Sequence, residues 1–221
     1  MSAPATRWIL ASGNLGKVRE FQALLAPLGI TVTPQRELGI DDADEPHPSF
    51  VENAIVKARH AARASGLAAL ADDSGLCVPA LGGAPGVRSA RYAADAAQAE
   101  VAPAVDTAPA ATLDAGRDAA DAANNRLLIA RIAGLPAPVA AYYYCVIVLV
   151  RHPDDPRPLI AEGVWDGTLT AVPRGHGGFG YDPHFVPAGQ SLTAAEMSAA
   201  DKNRISHRAR ALQALLAALG R

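Results

Sequence analysis

The order of apolar patterns along the first third of the chain constrains the fold more than any other sequence feature. Residues 8–11 form a strand-length apolar run, and residues 12–17 lead from it into helical periodicity that ends at Gly29. A second helical pattern over residues 49–66 leads into another short apolar run at 67–71. Strand-length runs that alternate with helical patterns predict an α/β fold.

The second half of the sequence adds a hairpin, a glycine-rich loop and a terminal helix. Residues 141–150 and 159–165 are rich in β-formers and are separated by a turn containing Pro and Asp, which predicts two paired strands. A glycine-rich loop follows at 175–183, and residues 205–220 carry leucines at helical spacing. Residues 93–123 are dominated by alanine, which favours a loosely helical excursion outside the core, and we assign no chemistry to them.

Composition excludes several classes of protein. The chain has 221 residues, half of them hydrophobic, which is enough for one domain with a substantial core. A formal net charge of -2 provides no field for nucleic acid or anionic lipid, so we expect neither partner. No apolar segment approaches the ~20 residues of a membrane span, and we expect a soluble cytoplasmic protein. The two cysteines, Cys77 and Cys145, are expected to be buried free thiols.

The segment 12–17 is a candidate phosphate site. Ser12, Asn14 and Lys17 stand where a strand passes into a helix, and free N–H groups at a helix N-terminus favour an anion. A strand-to-helix turn also needs small polar residues for structural reasons, and the spacing is not that of a Walker loop. Both interpretations stay open from the segment itself.

Two adjacent carboxylates, Asp72 and Asp73, follow the apolar run at 67–71. Neighbouring carboxylates in apolar surroundings are unfavourable unless a cation or hydrogen-bond donors compensate them. Mg²⁺ is the usual cation for carboxylates that face a phosphate. The alternative is an Asp turn ahead of Gly75. A second acidic group could complete the metal site or could simply be a solvated loop, and it comprises Asp41, Asp42, Asp44 and Glu45.

An aromatic residue in the glycine-rich loop is a candidate for contact with a base. Phe179 stands between two glycines, which have no side chains to cover its ring. An uncovered ring can stack on a nucleobase. A loop whose Phe179 and Tyr181 pack into the core would have the same sequence, so this interpretation competes with the first.

Basic residues stand at the start of the final helix, where positive charge is unfavourable because the helix N-terminus is itself positive. They are Lys202, His207 and Arg208. A nearby anion would compensate the mismatch, although solvated basic residues are also tolerated at small energetic expense. The remaining histidines lack metal-binding spacing and are interpreted as structural or surface residues; these are His47, His60, His152, His176 and His184.

In combination, these segments resemble the inosine triphosphate pyrophosphatase family, which hydrolyses ITP, dITP and XTP. The likeness extends over residues 7–216, and its main gap is the alanine-rich insert at about 95–121. The stretches that carry it are residues 12–14 with Lys17, Phe50 with residues 52–54 and 57–58, residues 71–75, residues 82–86 and 89–92, residues 178–183, and Lys202 with residues 206–208.

The resemblance implies a single α/β domain over residues 1–221, with a mixed twisted central β-sheet, flanking helices, two lobes and an active-site cleft between them. It implies a homodimer and Mg²⁺ as cofactor. Asp73 would be the catalytic carboxylate, which binds the metal and accepts a proton from the attacking water. The substrate-binding residues would be Ser12, Gly13, Asn14, Lys17, Asn53, Lys57, Ser74, Phe179, Gly180, Tyr181, Asp182, Lys202, His207 and Arg208.

The sequence departs from the family pattern ahead of the capped helix. The family has two glutamates and a glycine there, whereas this chain has residues 44–48, DEPHP. The second metal ligand is therefore either Asp44 or Glu45. Alternative functions are a septum-inhibitor (Maf) type nucleotide pyrophosphatase, a nucleotide-binding protein without catalysis, and a zinc hydrolase that uses the scattered histidines.

Overall fold

The structure, a computed structural model, describes residues 6–100 and 113–220. The chain divides into two compact units. The first unit comprises Met1–Ser74, Tyr144–Val164 and Ala200–Arg221, and the second comprises Gly75–Tyr143 and Trp165–Ala199. Each unit is therefore assembled from separate stretches of the sequence.

A six-stranded sheet has the strand order β2-β1-β3-β4-β5-β6. Strand β1 pairs in parallel with both β2 and β3, and β5 pairs antiparallel with β6, so the sheet is mixed. The strands are β1 (Thr6–Leu10), β2 (Ile30–Pro34), β3 (Ala69–Cys77), β4 (Val139–Val150), β5 (Leu159–Leu169) and β6 (Phe185–Pro187).

Helices precede or follow most of these strands, as the alternating sequence pattern predicts. In the described ranges they are α1 (Leu15–Leu25), α2 (Phe50–Ser65), α3 (Tyr92–Glu100), α4 (Leu113–Ile132), α5 (Ala199–Ile205) and α6 (His207–Ala218). Ser49 caps α2, and Gly66 ends it at a φ of 69°, a left-handed conformation that favours glycine. Within the part of the chain that the structure describes, no helix has the length and apolar character to cross a membrane.

The core of the first unit lies on both faces of strand β1. Trp8 and Leu10 belong to one buried cluster, which includes Phe21 of α1, whereas Ile9 belongs to a second cluster that includes Ala58 of α2. Alternate residues of a strand point to opposite faces, so a strand with apolar residues at every position is covered on both sides. The apolar run at 8–11 has this character.

The core of the second unit contains an aromatic group. The ring centroid of Tyr143 lies 4.8 Å from that of Phe185, and the Trp165 centroid lies 5.3 Å from the Phe185 centroid. Gly167 allows this packing, because a Cβ atom there would lie 2.7 Å from the Phe185 ring. The group fixes β6 against β5.

Strand β3 differs from its prediction. The apolar run at 67–71 covers only residues 69–71 of the strand, which continues to Cys77. Asp72 and Asp73 therefore lie inside the strand and not at its end. Sequence patterning ends the strand at the first carboxylate because buried carboxylates are rare, yet here cationic side chains compensate them.

The alanine-rich segment is helical where the structure describes it. Residues 101–112 lie outside the described residues, and helix α4 continues to Ile132. None of the described side chains within 93–123 is buried, as expected of a loosely helical excursion outside the core. Buried positions begin directly after it: Leu128 and Ile132 are buried, and Asn124, only 3% exposed, accepts a hydrogen bond from the N–H of Ala93 and donates to the carbonyl of Ala90.

Two smaller features complete the fold. Thr193 and Glu196 form a capping-box contact, with the Thr193 N–H 2.7 Å from the Glu196 carboxylate, ahead of the helix that begins at Ala199. The two cysteines are buried free thiols, as predicted.

Candidate active site

The segment between β1 and α1 is a tight turn that leaves Lys17 in the first helical turn. Asn14 caps α1, and its side-chain oxygen accepts hydrogen bonds from the N–H groups of Gly16 and Lys17 at 2.9 and 3.2 Å. A Cβ atom at Gly13 would lie 2.6 Å from the guanidinium of Arg36, so a larger residue there would displace that side chain. The cap orients the start of α1 and so sets the direction of the Lys17 side chain.

Lys17 and Arg208 both bind the buried carboxylate of Asp72. The Lys17 Nζ atom lies 2.9 Å from Asp72 Oδ2, and a guanidinium nitrogen of Arg208 lies 3.4 Å from the same oxygen. Ser74 donates its hydroxyl to this oxygen at 3.1 Å and accepts from Arg208 at 3.1 Å. Asp72 is 1% exposed, so these contacts replace the solvation that it has lost.

Lys57 lies between two other carboxylates. Its Nζ atom is 3.0 Å from Glu45 Oε1 and 3.4 Å from Asp73 Oδ1. Asn53, one helical turn earlier on α2, donates to Asp73 Oδ2 at 3.4 Å and to the carbonyl of His47 at 3.1 Å. The capped helix therefore brings Asn53 and Lys57 together at Asp73 because residues four apart share a helix face.

The two neighbouring aspartates have pKa values shifted in opposite directions. Burial disfavours the charge on Asp72, but Lys17 and Arg208 outweigh this effect and hold its pKa below the ordinary value. Burial also raises the pKa of Asp73, and Lys57 and Lys17 offset only part of that rise. Asp72 thus stays ionised, while Asp73 is the carboxylate able to take up a proton.

The basic residues at the start of α6 meet anions of the protein itself. Arg208 forms an ion pair with Glu20 of α1 as well as with Asp72, and the Lys202 Nζ atom lies 3.5 Å from Glu20 Oε1. Burial, followed by the charges of Arg208 and Lys202, lowers the pKa of His207, which is therefore neutral at pH 7. The sequence left open whether an anion or solvent compensates this helix start. It did not indicate that the anion would be the carboxylate of Glu20.

The two acidic candidates for the second metal ligand occupy different surroundings. Glu45 shares Lys57 with Asp73, whereas Asp44 is exposed and lines a surface pocket of about 440 Å³ together with Arg59 and His60. Among the described residues, no group of three or more His, Cys, Asp or Glu side chains has the arrangement of a metal site. A metal held by Asp73 and one of these two residues would therefore have fewer than three such protein ligands.

The glycine-rich loop belongs to the second unit. Asp182 is buried and organises the loop, because its Oδ2 atom accepts the N–H of Phe179 at 3.0 Å and its Oδ1 atom accepts the hydroxyl of Tyr143 at 3.3 Å. Tyr181 is also buried, and its hydroxyl donates to the carbonyl of Ser89 at 2.9 Å. Phe179 is half-buried.

Of the candidate residues, the first unit brings together those proposed for phosphate and metal, and it also contains Lys202, His207 and Arg208. Sequence reasoning missed Glu20, which stands between the apolar positions of the helical pattern and carries no motif. It also missed Asp121 and Asn125, which contact the backbone of Gly180. Their four-residue spacing on one helix was the only available signal, and the alanine-rich composition obscured it.

Known proteins match this chain over nearly its whole length. The Ham1 family matches residues 8–108 and 100–218. The dITP/XTP pyrophosphatase of Burkholderia pseudomallei (strain K96243) is 56% identical over 99% of this chain and 95% of its own length. The dITP/XTP pyrophosphatase of Ralstonia nicotianae is also 56% identical, over 95% of this chain and 94% of its own. A solved HAM1 protein from Coxiella burnetii superimposes with a TM-score of 0.79 at 42% identity, covering 97% of this chain and 98% of its own.

The fold and the site define a class of α/β protein in which lysines and carboxylates are buried together beside a parallel part of the sheet. Within that class, the chain belongs to the Ham1 family. The resemblance inferred from the sequence motifs is therefore confirmed.

Proposed function

We propose that this protein is a nucleoside triphosphate pyrophosphatase that hydrolyses non-standard purine nucleoside triphosphates, namely ITP, dITP and XTP, to the monophosphate and pyrophosphate. Its relatives in Burkholderia pseudomallei and Ralstonia nicotianae carry the name dITP/XTP pyrophosphatase and match it over almost their full length. Removal of such nucleotides from the cellular pool would be the biological outcome.

The observation that carries the proposal is the pair of adjacent aspartates with opposite pKa shifts, each in contact with a lysine. A hydrolase needs one carboxylate that accepts a proton and cations that stabilise charge on the phosphates. Asp73 fits the first role because burial raises its pKa. Lys17 and Lys57 fit the second because polyphosphate oxygens can replace the carboxylates that they now bind.

We propose Mg²⁺ as the cofactor. Asp73 and Glu45 converge on a single cationic position, which the Lys57 ammonium now occupies. Mg²⁺ is commonly bound through one or two carboxylates together with substrate phosphates, so this pair suits it, and the surroundings of Glu45 favour it over Asp44 as second ligand. When bound, the ion would neutralise charge on the phosphate oxygens and favour attack by water.

The side chains of the first unit would then divide the remaining work. Asp73 accepts a proton from the water that attacks the α-phosphorus, and pyrophosphate leaves with the bond electrons. Lys17 and Lys57 stabilise the negative charge on the departing pyrophosphate. Ser12, Asn14 and the N–H groups at the start of α1 are the proposed contacts for the outer phosphates.

For the purine we propose the loop residues Phe179 to Asp182 of the second unit; Lys202, His207 and Arg208 of the first unit are proposed as substrate contacts in their own right. Stacking on Phe179 would bind any base, so discrimination must come from hydrogen bonds to the 6-oxo edge. A donor that faces this oxygen would be left unpaired by the amino group of adenine, and an unpaired buried donor costs about 1–3 kcal/mol. ATP would therefore be a poor substrate.

The direct test is release of pyrophosphate from ITP, dITP, XTP, ATP, GTP and dTTP, with and without Mg²⁺. We expect turnover of the first three, only with Mg²⁺, and with pyrophosphate and not orthophosphate as the product. Comparable turnover of ATP, or turnover in the presence of EDTA, would contradict the proposal. Preferential turnover of dTTP would instead favour the septum-inhibitor type of activity.

A variant pair decides between the two acidic ligand candidates. Glu45→Gln should raise the Mg²⁺ concentration needed for half-maximal activity, whereas Asp44→Asn should leave it nearly unchanged. The reverse order would assign the metal to Asp44. Homodimer formation, implied by the family resemblance, and a cytoplasmic location, expected from the sequence pattern, remain predictions, and light scattering of the purified chain would test the first.

A further inference from the structure

The two peptide units that flank Gly180 in the glycine-rich loop are both held by one helix. Asp121 Oδ2 of α4 accepts the N–H of Gly180 at 2.7 Å, and Asn125 Nδ2 donates to the carbonyl oxygen of Gly180 at 2.9 Å. Asp121 and Asn125 are four residues apart, so they lie on the same face of α4. Two side chains thus fix both polar groups of a single loop residue.

The helix that carries this pair is itself anchored. Asn124 donates to the carbonyls of Ser89 and Ala90 at 3.3 and 3.1 Å and accepts the N–H of Ala93 at 2.8 Å. The carbonyl of Ser89 also accepts the hydroxyl of Tyr181, at 2.9 Å. The loop and the helix are therefore bound to the same carbonyl group, which limits their movement relative to each other.

The contact with Asp121 is of the stronger kind. A carboxylate that accepts a backbone N–H forms a charge-assisted hydrogen bond, which is shorter and stronger than a neutral one. Gly180 adopts a φ of 64°, which glycine reaches without strain, but the same freedom lets glycine leave this conformation, so external contacts help to fix the loop in one shape. Asp121 and Asn125 provide those contacts directly beside Phe179.

We propose that Asp121 and Asn125 are positioning residues that hold the Gly180 peptide and thereby orient Phe179 for the purine base. This inference rests on the proposed function, which assigns the loop to base binding. It gives the end of the alanine-rich segment a role in substrate recognition. Neither residue contacts the reacting phosphate in this scheme, so both act on substrate binding and not on the chemical step.

The test compares Asp121→Leu and Asn125→Leu with the unchanged protein in steady-state hydrolysis of dITP. We expect KM to rise by between about 10- and 100-fold because a misplaced binding group weakens substrate positioning. The turnover number should change far less, since Asp73 and the lysines are untouched. Asp121→Asn keeps an oxygen that can accept the Gly180 N–H and should raise KM less than Asp121→Leu does.

The matched control is Asp118→Leu, which removes the same kind of side chain from an exposed position of the same helix. We expect its KM to match that of the unchanged protein. An unchanged KM in both Asp121→Leu and Asn125→Leu would overturn the proposal, as would an Asp121→Asn variant as impaired as Asp121→Leu. A fall in the turnover number with KM unchanged would also overturn it.

Hydrogen exchange at the Gly180 amide provides a measurement that does not depend on activity. Asp121→Leu should accelerate this exchange, while Asp118→Leu should not, and unchanged exchange in Asp121→Leu would overturn the proposed contact. If the unchanged protein hydrolyses no nucleotide, the proposed function fails, and the exchange rates still decide whether Asp121 holds the loop. Faster exchange with an unchanged KM would mean that the contact exists but does not position substrate.

Discussion

In the first unit, Lys17, Lys57 and Arg208 are held by ion pairs with buried carboxylates, whereas in the second unit the loop 178–182 is held by side chains that bond to its backbone. The first arrangement depends on charge, and removal of one partner leaves another uncompensated. The second depends on hydrogen bonds that Asp121 and Asp182 accept from backbone N–H groups, and each bond fixes a peptide group in place. The same molecule therefore offers two kinds of support, which should fail in different ways.

The largest effect should come from Asp73→Asn. Loss of the proton acceptor and of a proposed metal ligand should lower turnover of dITP by at least about 10³-fold. Because burial raises the pKa of Asp73, the folded protein tolerates a neutral group at this position, and the unfolding midpoint should not fall. Pyrophosphate release and thermal unfolding measure the two quantities, and near-normal turnover would remove the assigned role.

The neighbouring substitution, Asp72→Asn, should affect stability more than activity, which is the opposite of Asp73→Asn. It leaves Arg208 and Lys17 with less compensating charge in a buried setting, so the free energy of unfolding at pH 7 should fall by about 3 kcal/mol. The pKa of Asp72 is lowered by folding, so its contribution is present above its unfolded pKa and is lost as pH falls through the folded pKa.

Urea unfolding of Asp72→Asn measures this loss, with Asp118→Asn as the control for an exposed acid. The control should lie within about 0.5 kcal/mol of the unchanged protein. Equal stabilities of Asp72→Asn and Asp73→Asn would mean that the two adjacent carboxylates do not differ in the way proposed.

Gly178→Ala tests whether the loop 178–182 depends on the close approach of Asp182 to its backbone. A Cβ atom at Gly178 would lie 2.0 Å from Asp182 Oδ2, and its φ of 74° also disfavours alanine. Displacement of Asp182 from Phe179 should weaken dITP binding by about 2 kcal/mol, measured as a rise in KM. Gly180→Ala is the matched variant, because it has a similar φ but no atom within 4 Å of the added Cβ.

Gly180→Ala should therefore show the backbone strain alone, about 1 kcal/mol. The difference between the two glycine variants isolates the contact with Asp182. If both variants raise KM equally, the Asp182 contact does not support the loop in the manner described.

The last prediction concerns the pH dependence of stability through His207. Its folded pKa is lowered, so the unfolded chain binds a proton that the folded chain does not, and stability falls as pH drops below about 6.5. The slope from this residue is about 1.4 kcal/mol per pH unit. His207→Gln should remove that slope between pH 6.5 and 5, while His176→Gln, at an exposed position of the second unit, should retain it.

The contrast between the units also explains what the sequence could predict. Lys17 and the pair Asp72 and Asp73 were identified because charged residues next to strands are unusual enough to indicate chemistry, whereas Lys57 and the catalytic role of Asp73 came from the family resemblance. The contacts of Asp121 and Asn125 were not, because their partner is a backbone group, which every residue has. The extent of β3 was underestimated for a related reason, since the cations that permit buried carboxylates come from residues as distant as Arg208.

The division of the chain into interleaved stretches has a consequence for biosynthesis. Arg208, which compensates Asp72 and Glu20, is translated only after all of the second unit, because residues 200–221 follow Trp165–Ala199 in the sequence. Domains of many proteins fold in order as they leave the ribosome. Here the first unit begins earliest but lacks a buried cation until late in translation, so ribosome-stalled chains that end before Arg208 should hold their N-terminal portion in an incompletely folded state.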